Sequence, residues 1–215
     1  MMQTPYGYVT VLFGNLLQPI VDLFHRMAQS EPRGPSEVQA SRAENGYAAS
    51  IVVLTVLVIE SVCNRVRYVS GNTTCLGAVH TLRGLNAGEL ADDVEELFVL
   101  RDVIAHNHLW EATIVDDDTK GLVLVSAAKR PDYGDDKFDR TVDLATRQTR
   151  RLHLDVFPAR IHRHTAIVTL QKCVEVLRFL ETRDIKFVGS TDPHVIWQSQ
   201  PIPFYMWVDG LSRSA

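Results

Sequence analysis

The chain has 215 residues, of which 46% are hydrophobic and 22% are charged, and its formal net charge at pH 7 is −4. These values fit a soluble protein with an ordinary core and exclude one coated in basic surface, so any nucleic-acid site has to be a local patch. The three cysteines, Cys63, Cys75 and Cys173, are odd in number and lack C-x-x-C spacing. They favour a reducing, cytoplasmic location over a disulfide framework.

The N-terminal third predicts two long helices. Apolar residues recur at helical intervals from Val9 to Met27, with a kink or restart expected at Pro19. The second helix, about 47–68, is apolar nearly all round in its first half, which indicates burial on several sides. Its β-branched residues leave a buried strand as the alternative.

No membrane anchor is predicted in this region. The first apolar run lacks the basic segment that begins a signal peptide. The apolar block 51–59 is much shorter than the roughly 20 residues that span a bilayer.

A short helix over about 76–83 leads into a third long helix. Asn86 and Glu89 have the spacing of a capping box, and an apolar stripe then runs from Leu90 to Ile104. The helical pattern breaks at the acidic turn 116–121. The segment 122–127 is predicted to be one short strand.

The remaining chain predicts one more long helix. The polar region 131–159 is expected to be an irregular insertion with a hairpin, and a helix follows over about 161–182. The proline- and aromatic-rich segment 186–215 is expected to be an extended arm packed on the body or on a neighbouring subunit. We therefore predict a mainly α protein with one domain over 1–215, its helical bundle covering 8–185.

The C-terminal end of the third long helix combines a permanent cation with an imidazole. Arg101 and His106 lie five residues apart, so about 140° separates them on a regular helix, whereas Asp102 and His106 share a face. Two arrangements bring Arg101 and His106 to one phosphate. Either the helix loosens near His106, or two copies of the chain face each other.

The segment Arg101-Asp102-Val103-Ile104-Ala105-His106 resembles the Arg-polar-x-x-x-His motif of HEPN-domain proteins. Many members of that superfamily are helical bundles that act as metal-independent endoribonucleases, in toxin–antitoxin pairs or in phage defence. The resemblance implies an antiparallel helical bundle and a homodimer with juxtaposed motifs. It also implies RNA as the substrate and an antitoxin or regulatory protein as a partner.

The chemistry implied at this motif is transfer of an RNA phosphate to the ribose 2′-hydroxyl. His106 is the candidate acid and base, Arg101 the group that stabilises the phosphorane, and Asp102 the residue that orients the imidazole. Asn107 and His108 are candidate substrate contacts. The alternative is structural: a helix dipole stabilises a C-terminal histidine in any protein, and Arg101 pairs with an acid of a neighbouring helix.

The basic stretch between residues 147 and 164 is the candidate contact for the RNA backbone. It contains one acid, Asp155, among five arginines and three histidines. The alternative is a solvated cationic loop that pairs with an acidic partner. The five arginines are Arg147, Arg150, Arg151, Arg160 and Arg163.

No cofactor or metal is expected. The sequence contains no glycine-rich phosphate loop and no nucleophile elbow, and histidines two residues apart on a helix point in opposite directions. Two functions compete with the endoribonuclease. One is a catalytically inactive helical module that binds a protein or a nucleic acid, and the other is a structural dimer whose polar cluster specifies pairing.

Overall fold

The computed structural model describes residues 13–30, 38, 40–71, 77–106, 110–119, 121–131, 136–189 and 192–211. The protein is mainly helical, as predicted. The helices are α1 (Phe13–Gln29), α2 (Arg42–Val69), α3 (Ala78–Gly84), α4 (Glu89–His106), α5 (Asp136–Thr141), α6 (Arg163–Arg183), α7 (Ile185–Val188) and α8 (Phe204–Leu211). The strands are β1 (Trp110–Asp117), β2 (Gly121–Lys129), β3 (Val142–Asp143), β4 (Gln148–Thr149), β5 (His194–Trp197) and β6 (Gln200–Pro203).

Helix α2 occupies the centre of the main hydrophobic core. It packs against α1, α3, α4, α6 and α7, and its buried side chains include Ile51, Val58 and Cys63. Contact on several sides explains why the helix is apolar nearly all round. The alternative of a buried strand at this position is wrong.

Helix α2 also has the length and apolar character that a membrane span requires, and it is the helix with that property among the described residues. Half of its most apolar window is buried inside the protein, where it contacts five other helices. The central helix of a packed core has the same composition. These contacts therefore indicate a core helix.

Helices α1 and α4 differ in detail from the sequence predictions. Helix α1 runs without a break through Pro19. Asn86 does not cap α4: it has a φ of 58° in the turn after α3, and Glu89 is already the first residue of α4. The predicted capping box is therefore wrong, because the chain needs Asn86 in a left-handed turn to reverse direction between α3 and α4.

A β-hairpin follows α4, where only one short strand was expected. Strands β1 and β2 pair antiparallel from Trp110 opposite Lys129 to Asp117 opposite Gly121. The β-branched run at residues 113–115 supplies the missed strand, and the acidic segment 116–118 leads into the turn. Among the described residues, β1 is exposed from Glu111 onward.

Residues 136–160 form the irregular insertion with a small hairpin that the sequence predicted. Helix α5 leads into the two-residue strands β3 and β4, and a 3₁₀ turn covers Pro158–Arg160. The insertion has a core of its own, in which Phe138 and Val156 pack against Val99 and Val103 of α4. Trp110 covers this second core, and its Nε1 donates to the Val156 carbonyl at 3.0 Å.

The C-terminal region is not an extended arm. After α7, strands β5 and β6 form a hairpin that leads directly into α8. The aromatic residues Phe204 and Trp207 are buried against the body, as expected, and Trp207 stacks edge-on to Phe24 of α1 at 5.4 Å. The spacing of buried residues at 204, 207 and 208 is that of a helix, a signal masked by the prolines before it.

Candidate functional site

The predicted motif lies on the last two turns of α4. Val99, Leu100 and Val103 of this segment are buried, which fixes how the helix is rotated against the core. The side chain of Arg101 is 25% exposed, and His106, the last residue of α4, is exposed. The helix is regular as far as His106, so the arrangement in which it loosens before His106 is not observed. Asn107 and His108 lie outside the described residues.

Arg101 is held by two carboxylates. Its Nη1 lies 3.2 Å from Oε2 of Glu60 on α2, and its Nε and Nη2 donate to Oδ1 of Asp102 at 3.0 and 2.8 Å. The guanidinium also lies over the ring of Phe98, 4.8 Å from its centroid. The structural alternative, in which Arg101 pairs with an acid of a neighbouring helix, therefore describes one of its contacts. Two of the five guanidinium N–H groups remain for another ligand.

Asp102 connects Arg101 with a second cation. Its Oδ2 accepts a hydrogen bond from Nζ of Lys137 on α5 at 2.8 Å. The sequence did not indicate Lys137, because the two residues are 35 positions apart and only folding of the insertion brings them together. The carboxylate oxygens of Asp102 bind Arg101 and Lys137. The role of Asp102 in orienting His106 stays a prediction.

The environment of Asp102 holds its pKa below the ordinary value of 3.8. Burial alone raises the pKa, but the hydrogen bonds and charges of Lys137 and Arg101 together lower it by more. The ionised carboxylate therefore stabilises the fold above pH 3.8, and this contribution is lost as the pH falls through the depressed pKa of the folded state.

Asp102→Asn is expected to lower the free energy of unfolding by about 1 kcal/mol at pH 7, because Arg101 and Lys137 lose the negative charge and one of the two accepting oxygens. The difference from the wild type should narrow as the pH falls below 3.8. Urea denaturation at pH 7 and at pH 3 measures both values. Asp139→Asn, in the exposed pair with Lys129, is the control and should cost less at pH 7. An equal loss for Asp102→Asn at both pH values would contradict the assignment.

The five arginines of the basic stretch do not form one surface. Arg160 pairs with Asp155 at 3.4 Å, and Arg163 donates to the Met27 carbonyl at 3.1 Å. Arg147 has a φ of 57° and a buried Nε without a hydrogen-bond partner. The loop folds back and turns these side chains toward different neighbours, and the role of the stretch as an RNA contact stays a prediction.

Arg150 and Arg151 lie beside α4. Nε of Arg151 donates to Oδ1 of Asp93 at 2.8 Å, and its Nη2 donates to Oε2 of Glu89 at 3.0 Å. Arg151 thus pairs with acids of its own chain, and pairing of the loop with an acidic partner stays a prediction. Nε of Arg150 donates to the Arg140 carbonyl at 3.0 Å, and the Arg150 side chain is exposed.

The acidic face of α4 was missed by the sequence analysis. Glu96 is 1% exposed, and its two carboxylate oxygens accept the backbone N–H groups of Arg151 and Leu152, each at 2.9 Å. Glu95 is 7% exposed and binds Nη2 of Arg83 at 2.9 Å and Nη2 of Arg140 at 2.6 Å. Four acids crowd residues 92–96, but acids in such a segment are ordinarily solvated, so the sequence did not indicate their burial.

A cavity of about 300 Å³ lies between this acidic face and the insertion. We call it the arginine cavity, because four arginines from three parts of the chain line it. Its lining residues are Arg83, Asp92, Glu95, Glu96, Arg140, Thr141, Arg150 and Arg151.

The hairpin of β1 and β2, which follows the motif in the chain, exposes aliphatic side chains. The most exposed side chains are Ile114 at 44%, Val115 at 49%, Leu122 at 45% and Val125 at 62%. Strand β2 carries no charged residue over 122–128, so charge does not protect its free edge against pairing. A two-stranded hairpin without a packed face is marginally stable in water.

Comparison with known protein families, curated proteins and solved structures found no match to this chain. Within the part of the chain that the structure describes, no three histidine, cysteine or acidic side chains are grouped closely enough to hold a metal ion. The function must therefore be argued from the geometry of the motif and its surroundings.

Proposed function

We propose that this chain is a metal-independent endoribonuclease of the HEPN type that acts as a homodimer. The observation that carries the proposal is that Arg101 and His106 both reach solvent at the same end of α4, and that Lys137 adds a second cation next to Arg101, bridged by Asp102. The polar cluster borders open solvent, where an RNA phosphate can approach it.

The proposed reaction needs only groups that this chain supplies. His106 removes the proton from a ribose 2′-hydroxyl, the 2′-oxygen attacks the adjacent phosphorus, and the 5′-oxygen leaves with a proton from the protonated imidazole of a histidine. Arg101 and Lys137 stabilise the negative charge on the phosphorane. The products carry a 2′,3′-cyclic phosphate and a 5′-hydroxyl.

Glu60 and Asp102 have a defined part in this proposal. They fix the guanidinium of Arg101 in one orientation and leave two N–H groups for the phosphate. They also offset much of the positive charge of Arg101, so the phosphate needs a further cationic contact. In a homodimer, the motif of the second copy supplies this contact. Arg101 and His106 of one chain, which lie about 140° apart on the helix, then need not reach the same phosphate.

The test is incubation of the purified protein with single-stranded and structured RNAs in the presence of EDTA. The proposal expects cleavage that survives chelation and fragments that end in a 2′,3′-cyclic phosphate. Absence of cleavage over a varied RNA panel, or cleavage that EDTA abolishes, would contradict it.

A second candidate function is a binding module without catalysis. It is favoured by the pairing of Arg101 with two carboxylates, which is sufficient to explain the arginine structurally. The same RNAs separate the two candidates, because a module would bind one of them without cutting it.

The hairpin is the surface that we expect the second copy to cover. It begins four residues after His106, so contact there keeps the two copies beside the motif, and the uncharged edge of β2 is able to pair with its own copy about a two-fold axis. Each half-exposed aliphatic side chain buried in the dimer contributes about 1 kcal/mol.

Val125→Lys is therefore expected to weaken the dimer at least tenfold, because it places a charge at the most exposed aliphatic position of the hairpin. Analytical ultracentrifugation over a range of protein concentrations measures the change. Ile185→Lys, at a position of α7 that is 45% exposed, is the matched control and should leave the dimer intact. A monomeric wild type, or equal effects of both variants, would contradict this interface.

A further inference from the structure

The arginine cavity brings four guanidinium groups together although the chain as a whole is acidic. Arg83 comes from α3, Arg140 from α5, and Arg150 and Arg151 follow β4. Convergence of like charges is unfavourable unless acids or a bound anion compensate. The arrangement of the acids decides which of these applies.

Each arginine is oriented from the protein side. Arg83 is held by Asp92 and Glu95, each within 2.9 Å, and Arg140 by Glu95 at 2.6 Å. Arg151 is held by Glu89 and Asp93. Arg150 is held by a backbone carbonyl and by no carboxylate contact within ion-pair distance among the described residues. The guanidinium groups are thus fixed before any ligand arrives, which lowers the entropy cost of binding one.

The acids of the cavity have little acceptor capacity left. The oxygens of Glu96 accept two backbone N–H groups, and those of Glu95 accept the side chains of Arg83 and Arg140. Arg151 is paired with Asp93 and Glu89, which lie outside the lining, so the charges around the cavity are close to balanced. The polar groups that remain for a ligand are therefore mainly N–H donors, which select an oxyanion.

The cavity and the motif share one face of α4. Glu95 and Asp102 are seven residues apart, which on a helix means nearly the same direction and about 10 Å along the axis. Helix α5 lies along this face, with Lys137 on Asp102 and Arg140 on Glu95. A ribonucleotide chain bound at the motif can therefore extend along this face toward the cavity.

We propose that the arginine cavity is a binding site for a phosphate group. If the chain is the proposed endoribonuclease, this phosphate belongs to the RNA strand that is cut, and Arg150 contributes a guanidinium that no carboxylate contacts within ion-pair distance among the described residues. The volume of about 300 Å³ accommodates a phosphate with part of its nucleoside.

The test is isothermal titration of the full chain with three probes: inorganic phosphate, adenosine 5′-monophosphate, and a single-stranded 2′-O-methyl oligoribonucleotide, which the proposed reaction cannot cleave. Arg150→Gln is expected to weaken binding of all three about tenfold. Arg150 is exposed and makes one hydrogen bond to a carbonyl, so this variant should keep the fold. Arg26→Gln, at an exposed position at the end of α1, is the matched control.

The outcomes separate this proposal from the proposed function. Binding of phosphate and the mononucleotide without the oligonucleotide supports the phosphate site and assigns it to a free phosphate compound rather than to RNA. Binding that persists when no RNA is cleaved supports the site while the endoribonuclease proposal fails. Absence of phosphate binding, or equal affinities of the wild type and Arg150→Gln, overturns the site.

Discussion

His106→Ala is expected to reduce RNA cleavage by roughly two to four orders of magnitude, because the variant loses the group that moves protons to and from the ribose and the leaving oxygen. The imidazole is exposed at the end of α4, outside both hydrophobic cores. Its removal should therefore leave the fold intact. Initial rates of cleavage of a fluorescent RNA in EDTA measure the loss, and circular dichroism checks the helix content.

The control for this variant is His194→Ala, which removes another exposed histidine, on strand β5. It should cleave RNA at the wild-type rate. Addition of free imidazole should restore part of the activity of His106→Ala, because a small base enters the space of the missing side chain. Cleavage by His106→Ala at the wild-type rate would remove His106 from the mechanism.

Glu96→Ala is expected to lower the free energy of unfolding by about 3 kcal/mol, since two charge-assisted hydrogen bonds to the backbone are lost. The carboxylate is 1% exposed and ties the loop after β4 to α4 through the N–H groups of Arg151 and Leu152. Urea denaturation at pH 7 measures this loss as a lower midpoint with an unchanged m value. Glu96→Gln should lie between the wild type and Glu96→Ala, because the amide keeps one accepting oxygen.

Glu175→Ala is the matched control for this prediction. Glu175 is 48% exposed and pairs with Lys172 on the surface of α6, so its loss should cost less than about 1 kcal/mol. Equal losses for the variants of Glu96 and Glu175 would show that the backbone contacts of Glu96 contribute little. A changed m value would instead indicate an altered unfolded or native state and would also contradict the prediction.

His106 and Glu96 show how unevenly the candidate site could be predicted from the sequence. His106 was evident because it ends an amphipathic helix and stands at a recognisable spacing from Arg101. Glu96 was not, because an acid in an acidic helical segment is ordinarily solvated. Its burial depends on Arg151 and Leu152, whose backbone amides arrive from more than 50 residues away.

The basic stretch shows a second limit of sequence analysis. Five arginines in one segment made it a candidate RNA contact, but the positive φ of Arg147 and the tight pairing of β3 with β4 turn the loop back on itself. Neighbours in sequence consequently end at different places: Arg151 lies against α4, whereas Arg163 contacts the end of α1. Sequence composition gives the charge of a segment, but not the direction of each side chain.

Periodicity along the chain by itself determined the mainly helical fold, the four long helices and the position of the motif at the end of α4, because these features depend on interactions within one segment. The tertiary structure alone decided which charges meet. Asp102 with Lys137, Glu95 with Arg83 and Arg140, and the cavity between them require segments far apart in sequence to come together. The hydrophobic cores position these segments, and the ion pairs follow from that packing.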